Sequence, residues 1–564
     1  VEADHEGELN SGQQDGVEFH SRNSDWSLRK TGRIDGPFSP AGRELDRIGA
    51  SAPAAVKSIL AHPSVHPSVR LAAKRLLFCQ KARGLPPRRL SCQDEGGTRA
   101  AAEREAGMSE RPPDGGCTQD ETRGLAVLAL LALATGAAAG LIGAIFRLAL
   151  DRADVFRDST LAWMQGRSAS GFLAVVLLCG AATALAAWLA RRFSPHAAGS
   201  GIPHVEAVLH GEAAPAPFLL LPVKFLGGLL AIGSGLALGR EGPSVQMGAS
   251  LAYQVGRLLG RDTADCRLLL AAGAGAGLAT AFNAPIAGAV FVLEELAQRF
   301  ERRMAIAALA ASATAIAFAR LLLGDAPDFH VAALLPASAE ARVLFFVAGG
   351  VAGALAIAYN RALLATLAYC DGLTLIPPVL RAAAIGGGVG ALAWFAPSLV
   401  GGGDALTQSA LLGQGDLVGL GVVFLARFAL GAISYAAGAP GGLFAPLLTL
   451  GAQSGLMLGL LCKALFPGAG IEPESFALVG MAAFFTGVVR APLTGVVLVT
   501  EMTANTSLLL PMLGACFTAM LVPTLARNEP IYDSLRILTL RRERAIATVR
   551  GAQGRDNAAG NGEK

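Results

Sequence analysis

From Phe428 to Cys462 the chain carries no charged residue over 35 positions, and the run is interrupted by Gly438-Ala439-Pro440-Gly441-Gly442. As one straight helix it would reach about 50 Å, far beyond the ~30 Å hydrocarbon core of a bilayer. Glycine and proline break it instead into partial helices. Non-helical backbone at membrane depth survives only where protein buries it or where it lines a polar cavity, because each unpaired peptide group in lipid costs several kcal/mol. The break therefore points at a transport pathway.

The rest of the chain fits this setting. Gly124 to Phe146 and Ser168 to Ala190 are each 23 uncharged residues, about 34 Å as helices. Further uncharged runs cover 225–239, 268–293, 304–319, 343–360, 382–403, 475–489 and 502–526. The run 475–489 is too short for a standard span. Only 16% of residues are charged, against roughly a quarter in soluble proteins. The 47 basic and 43 acidic residues nearly balance, which gives no reason to expect a nucleic-acid partner. Eight cysteines form no C-x-x-C pair, so neither a disulfide framework nor a metal site is indicated, and no cofactor is implied. Arg536, Arg541, Arg542, Arg544 and Arg550 follow the last run and are expected to keep the C-terminus, with its short tail 541–564, in the cytoplasm.

Residues 1–123 are of another kind, polar and mixed in charge, and are expected to be disordered. No methionine precedes Met108. Either translation in the cell begins there, or the tail is real and unstructured. The transport domain is expected over 124–540.

Within it the chain repeats itself. Asn283-Ala284-Pro285-Ile286-Ala287-Gly288 through Glu294 aligns with Arg490-Ala491-Pro492-Leu493-Thr494-Gly495 through Glu501, an offset of 207 that also matches Gly273 with Gly480. Two halves follow, about 124–330 and 340–530, and repeats in membrane proteins commonly place a substrate site between them.

Three glycine-rich interruptions carry the site chemistry: Gly199-Ser200-Gly201-Ile202-Pro203, Gly239-Arg240-Glu241-Gly242-Pro243 and Gly441-Gly442-Leu443-Phe444-Ala445-Pro446. Each leads into an apolar stretch with proline placed for a first helical turn. Helix N-termini offer free N–H groups and about half a positive charge, so several converging there would bind an anion. Tight helix packing is the plainer account of any one motif. The carboxylates weigh against it. Glu241, and Glu294-Glu295 closing the run 268–293, would cost on the order of 3 kcal/mol each at mid-membrane and are expected to be functional. One of Glu294 and Glu295 is expected at a solvated helix end. An ionised carboxylate beside an anion path competes for the same N–H groups, and protonation makes it let go. Lys224 is expected to form a buried pair with Glu206.

The three motifs in this order, with Glu294-Glu295 after Ala289-Val290-Phe291-Val292-Leu293 and with Asn528-Glu529-Pro530-Ile531-Tyr532 near the end, resemble the CLC family of chloride channels and proton/chloride exchangers. The resemblance implies an all-α polytopic membrane protein, built as two inverted repeats of tilted and broken helices. It further implies a homodimer with one pore per subunit. By motif position, Ser200, Tyr532 and the backbone N–H groups of Leu443 and Phe444 would bind chloride. Glu241 would be gate and proton carrier, and Glu295 would receive cytoplasmic protons, as in exchangers. Gly199, Gly201, Pro203, Gly239, Arg240, Gly242, Pro243, Gly442 and Pro446 would support the site. Serine at position 200 resembles chloride-selective members. With 32 residues after Tyr532, the cytoplasmic nucleotide-binding tandem of many eukaryotic members is not expected, and the compactness resembles bacterial ones. The partners implied are chloride, protons and the lipid bilayer.

A passive channel of the same family is the competing reading. An intramembrane serine hydrolase, suggested by Gly199-Ser200-Gly201, would need a histidine base on a later span. All eight histidines lie at or before His330, so no enzyme is expected.

Overall fold

Two stretches of the chain, 268–282 and 475–489, are apolar on every face, and a helix of that kind must be buried. The computed structural model, which describes residues 119–331 and 339–542, buries every residue of both stretches. They form most of two helices, Thr263–Phe282 and Pro473–Val489. At 17 residues the second is about 26 Å long, and it needs no full span because protein surrounds it.

The first half of the chain supplies α1 (Gln119–Gln165), α2 (Ser168–Phe193), α3 (Ile202–Leu209), α4 (Leu220–Gly233), α5 (Glu241–Leu258), α6 (Thr263–Phe282), α7 (Pro285–Phe291) and α8 (Arg302–Leu323). The second supplies α9 (Ala339–Gly372), α10 (Pro378–Phe395), α11 (Asp404–Leu411), α12 (Leu417–Ala436), α13 (Phe444–Leu465), α14 (Pro473–Val489), α15 (Pro492–Thr503) and α16 (Leu509–Leu525). A last helix, α17, runs over 531–542. The order of long, short and broken elements recurs. A three-residue turn, Pro195–Ala197, precedes α3, and its counterpart Pro397–Leu399 precedes α11.

Among the described residues, seven helices are long and apolar enough to cross a membrane, within α1, α2, α8, α9, α10, α12 and α13. Helix α1 has 47 residues, about 70 Å, so it must tilt or project beyond the hydrocarbon core. The polar tail as far as residue 118, Met108, Arg544 and Arg550 lie outside the described residues.

The uncharged run 268–293 is not one element. Asn283 takes a left-handed conformation (φ 50°) at the end of α6, and Pro285 opens α7. Arg490 does the same (φ 78°) between α14 and Pro492 of α15. The run 428–462 breaks at the expected place, between α12 and α13.

Small residues let the buried helices touch. Gly248 of α5 and Gly273 of α6 approach so closely that a methyl on either would strike the other's carbonyl oxygen. Gly451 of α13 and Gly480 of α14 repeat that contact. Such approaches replace the side-chain interdigitation of soluble cores.

Candidate anion and proton site

The three interruptions meet as main chain. Gly199 N–H donates to the Ala439 carbonyl (3.2 Å) and the Gly441 N–H to the Gly199 carbonyl (3.1 Å). Gly239 and Gly442 exchange both bonds, at 2.9 and 2.7 Å. The peptide groups that helix breaks leave unpaired are thus satisfied across the two halves, as burial requires. Gly201 (φ 87°) turns the chain into α3, where a side chain would collide with that of Gln246.

Glu241 is the first residue of α5 and is fully buried. Its Oε1 accepts a hydrogen bond of 2.6 Å from the Phe444 N–H at the start of α13. Gly239 and Gly442 make the cradle, since a methyl on either would run into the Glu241 carboxylate. Three buried oxygens around this point have no hydrogen-bond partner: Glu241 Oε2, Ser200 Oγ and Tyr532 Oη. Gly242 brings Ser200 in, because a methyl there would lie 2.7 Å from the Ser200 hydroxyl. Leaving hydroxyls unpartnered in the interior costs about 1–3 kcal/mol each, a cost that a bound ion would offset. Proline falls in the first turn after each break, at Pro203, Pro243 and Pro446.

The positions of Phe444 and Tyr532 follow from packing. The Phe444 ring stacks on Phe282 (6.3 Å) and meets Phe291, Phe485 and Tyr532 at 5.8, 4.6 and 5.8 Å between centroids. Tyr532 is the second residue of α17, behind a loop whose Asn528 carbonyl accepts from Arg490 at 2.7 Å. Arg240, between Gly239 and Glu241, donates to the Ala281 carbonyl (2.9 Å) and pairs with Asp328 and Asp404 at 3.3 and 3.2 Å.

Glu295 is buried on a π-type turn, Val292–Leu296, that continues α7. Its neighbour Glu294 is not a solvated helix end. Glu294 is half-buried and accepts from the Leu493 and Thr494 N–H groups at 2.9 and 2.7 Å, capping α15.

The expected pair of Lys224 with Glu206 does not form. The Lys224 ammonium is fully buried and donates to the carbonyl oxygens of Ala197 (3.0 Å) and Gly199 (2.8 Å). The turn Pro195–Ala197 and the break after it present carbonyls that no helical N–H uses, and these draw the ammonium. Glu206 faces Arg536 at 3.4 Å instead.

Two residues of the site escape motif reasoning. Tyr435 accepts from the Ser200 N–H at 3.3 Å, and Gln246 donates to the His196 carbonyl at 2.8 Å behind Gly201. Tyr435 lies in an uncharged run, and its one signal was rarity, as the chain has five tyrosines. Gln246 had none.

A family model described as voltage gated chloride channel matches residues 180–524. The H(+)/Cl(-) exchange transporter ClcA of Cronobacter sakazakii is 37% identical over 429 residues, 74% of this chain and 90% of that protein. The protein of the same name from Vibrio parahaemolyticus is 36% identical over 432 residues, with 74% and 90% covered. Among solved structures, a slow cyanobacterial Cl-/H+ antiporter superposes with a TM-score of 0.71 at 32% identity, over 74% of this chain and 99% of that one. A likeness of this extent, spanning both halves and every interruption, means that the chain belongs to the CLC family of voltage-gated chloride channels and is a multi-pass membrane protein.

Proposed function

We propose that this protein exchanges chloride for protons across the membrane. The observation that carries the reading is the Glu241 carboxylate bonded to the Phe444 N–H at 2.6 Å, beside the unpartnered hydroxyls of Ser200 and Tyr532. Seated there, an ionised carboxylate occupies the helix N-terminus that a chloride would otherwise use. Protonation removes its charge, weakens its hold on the N–H and frees the position for the anion. The ion would then be held by the Ser200 and Tyr532 hydroxyls and the Leu443 and Phe444 N–H groups. Deprotonation returns the carboxylate and expels the ion, so one carboxylate handles both substrates in turn.

Glu295 receives protons from the cytoplasmic side and passes them toward Glu241. A buried carboxylate away from the anion seat is costly in a membrane, and proton transfer is a use for it in an exchanger. The bacterial relatives named as exchangers support the same reading. Serine at position 200 favours chloride. The protein works as a homodimer in a bacterial inner membrane, with α17 and the C-terminus on the cytoplasmic side.

Purified protein in liposomes tests this. An imposed chloride gradient should drive protons against their own gradient. Chloride flux without linked proton movement would make the protein a passive channel.

A further inference from the structure

The surroundings of Glu295 contain more acid than the exchange scheme uses. Helix α3, which carries Glu206, packs on the Glu295 turn, and Asp533 and Arg536 of α17 and Glu294 of its own turn are the other charged groups around it. Helices α6 and α8 also pack on the turn. Of their charges, Asp265 is held by Arg261 and by Arg303 at 3.0 Å. His210 meets the Glu206 carbonyl at 2.9 Å, and Arg267 lies against Gly211.

Arg536 gathers this cluster. Its guanidinium reaches Asp533 at 2.9 Å, Glu212 at 3.2 Å and Glu206 at 3.4 Å. The last contact is an ion pair without a hydrogen bond: Arg536 Nε and Glu206 Oε2 are both buried and unpartnered. Glu206 is 2% exposed, so it can take a proton on Oε2 without breaking any bond. Glu294 cannot, because both its oxygens cap α15. Arg536 also follows Tyr532 by one helical turn, which puts the cation and the anion-site hydroxyl on one face of α17.

Resting on the exchange reading above, we infer that Arg536 is a positioning residue for proton uptake. Its guanidinium holds Glu206 beside Glu295 and sets how far these two carboxylates share a proton. Neighbouring buried carboxylates do not both ionise readily, and a permanently charged guanidinium paired with one of them offsets that repulsion.

Infrared spectra of the full-length protein in detergent, recorded as a function of pH, test this directly. The protonated-carboxyl band of Glu295 is assigned by its loss in Glu295→Gln. In Arg536→Gln the midpoint of that band should rise, since a cation of the cluster is gone. Arg536→Lys should return it toward the wild-type value, and Glu206→Gln should lower it. An unchanged midpoint in Arg536→Gln overturns the inference, as does a rise that lysine fails to reverse. Equal shifts in Arg536→Gln and Glu206→Gln would also overturn it, since general loosening would move both alike. Failure of the exchange reading shows separately, as wild-type protein whose chloride gradient moves no protons in liposomes.

Discussion

Glu294 and Glu501 cap each other's helices. Glu294, at the end of the α7 segment, accepts from Leu493 and Thr494 at the start of α15, while Glu501 near the end of α15 accepts from Ile286 and Ala287 at 3.0 and 2.8 Å. The donors, like the acceptors, are 207 positions apart, so the repeat is closed on itself by a reciprocal pair of charge-assisted caps. Replacing either glutamate with glutamine keeps an acceptor but removes the charge and one bidentate grip. Each single change should cost about 1 kcal/mol of stability, and the double change should depart from additivity because both caps brace one contact. Denaturant midpoints of the four proteins measure it; strict additivity would mean that the caps act independently.

Glu241→Gln removes the titrating charge while keeping the shape. Proton movement should fall to background with chloride flux retained, and flux should lose its dependence on pH. Paired recordings of chloride efflux and proton uptake from the same liposomes decide the matter, and surviving proton coupling would remove Glu241 from the gate.

Glu295→Gln should also abolish proton coupling, but with chloride affinity within twofold of wild type, roughly 0.4 kcal/mol. Calorimetric chloride titration separates this residue from Glu241, because a large loss of affinity would place Glu295 in the anion site.

Tyr532→Ala deletes a hydroxyl that, on the exchange reading, would donate to the anion, a contact of about 1.5–3 kcal/mol. Chloride affinity should fall about tenfold or more. Ser200→Pro, which removes the other hydroxyl, should move the preference from chloride toward nitrate. Competition binding with the two anions reads both variants; unchanged binding in Tyr532→Ala would take its hydroxyl out of the site.

Asp416 lies just before α12 and accepts from the Gly419 and Val418 N–H groups at 3.1 and 3.2 Å. Those bonds, Gly419 first, hold its carboxyl below the usual carboxylate range. A carboxylate lowered on folding stabilises the fold above its unfolded value, and that contribution is lost as pH falls through the folded one. Asp416→Ala should therefore lower the melting temperature at neutral pH by an amount that shrinks toward zero in strong acid. An equal loss at both extremes would mean that the side chain acts by packing.

How far the sequence could be read depended on what kind of group did the work. The breaks at 199–203, 239–243 and 438–442 were legible because glycine and proline exclude regular helix wherever they occur. The carboxylate at 241 was legible because lipid makes charge expensive. Lys224 was misassigned for a physical reason. A carboxylate partner can be seen in a sequence, whereas the carbonyls of Ala197 and Gly199 point at the ammonium only once the chain has turned. Arg536 read as a topology signal because a basic residue after the last span has that meaning in any membrane protein. Its contacts with Glu206 and Glu212, more than 300 positions earlier, arise only from folding. The alignment of Glu294 with Glu501 was visible, but a repeat in sequence does not say that its copies touch.

The joint between Gly239 and Gly442 is made from main-chain atoms on both sides, and glycine stands there because a Cβ at either position would strike the Glu241 carboxylate. Substitutions elsewhere therefore leave its bonds intact, and the side chain seated against it is the Glu241 carboxylate, held by the Phe444 N–H. On the exchange reading, a change of the ion carried or of its coupling to protons would need a few side chains altered and no rebuilding of this joint.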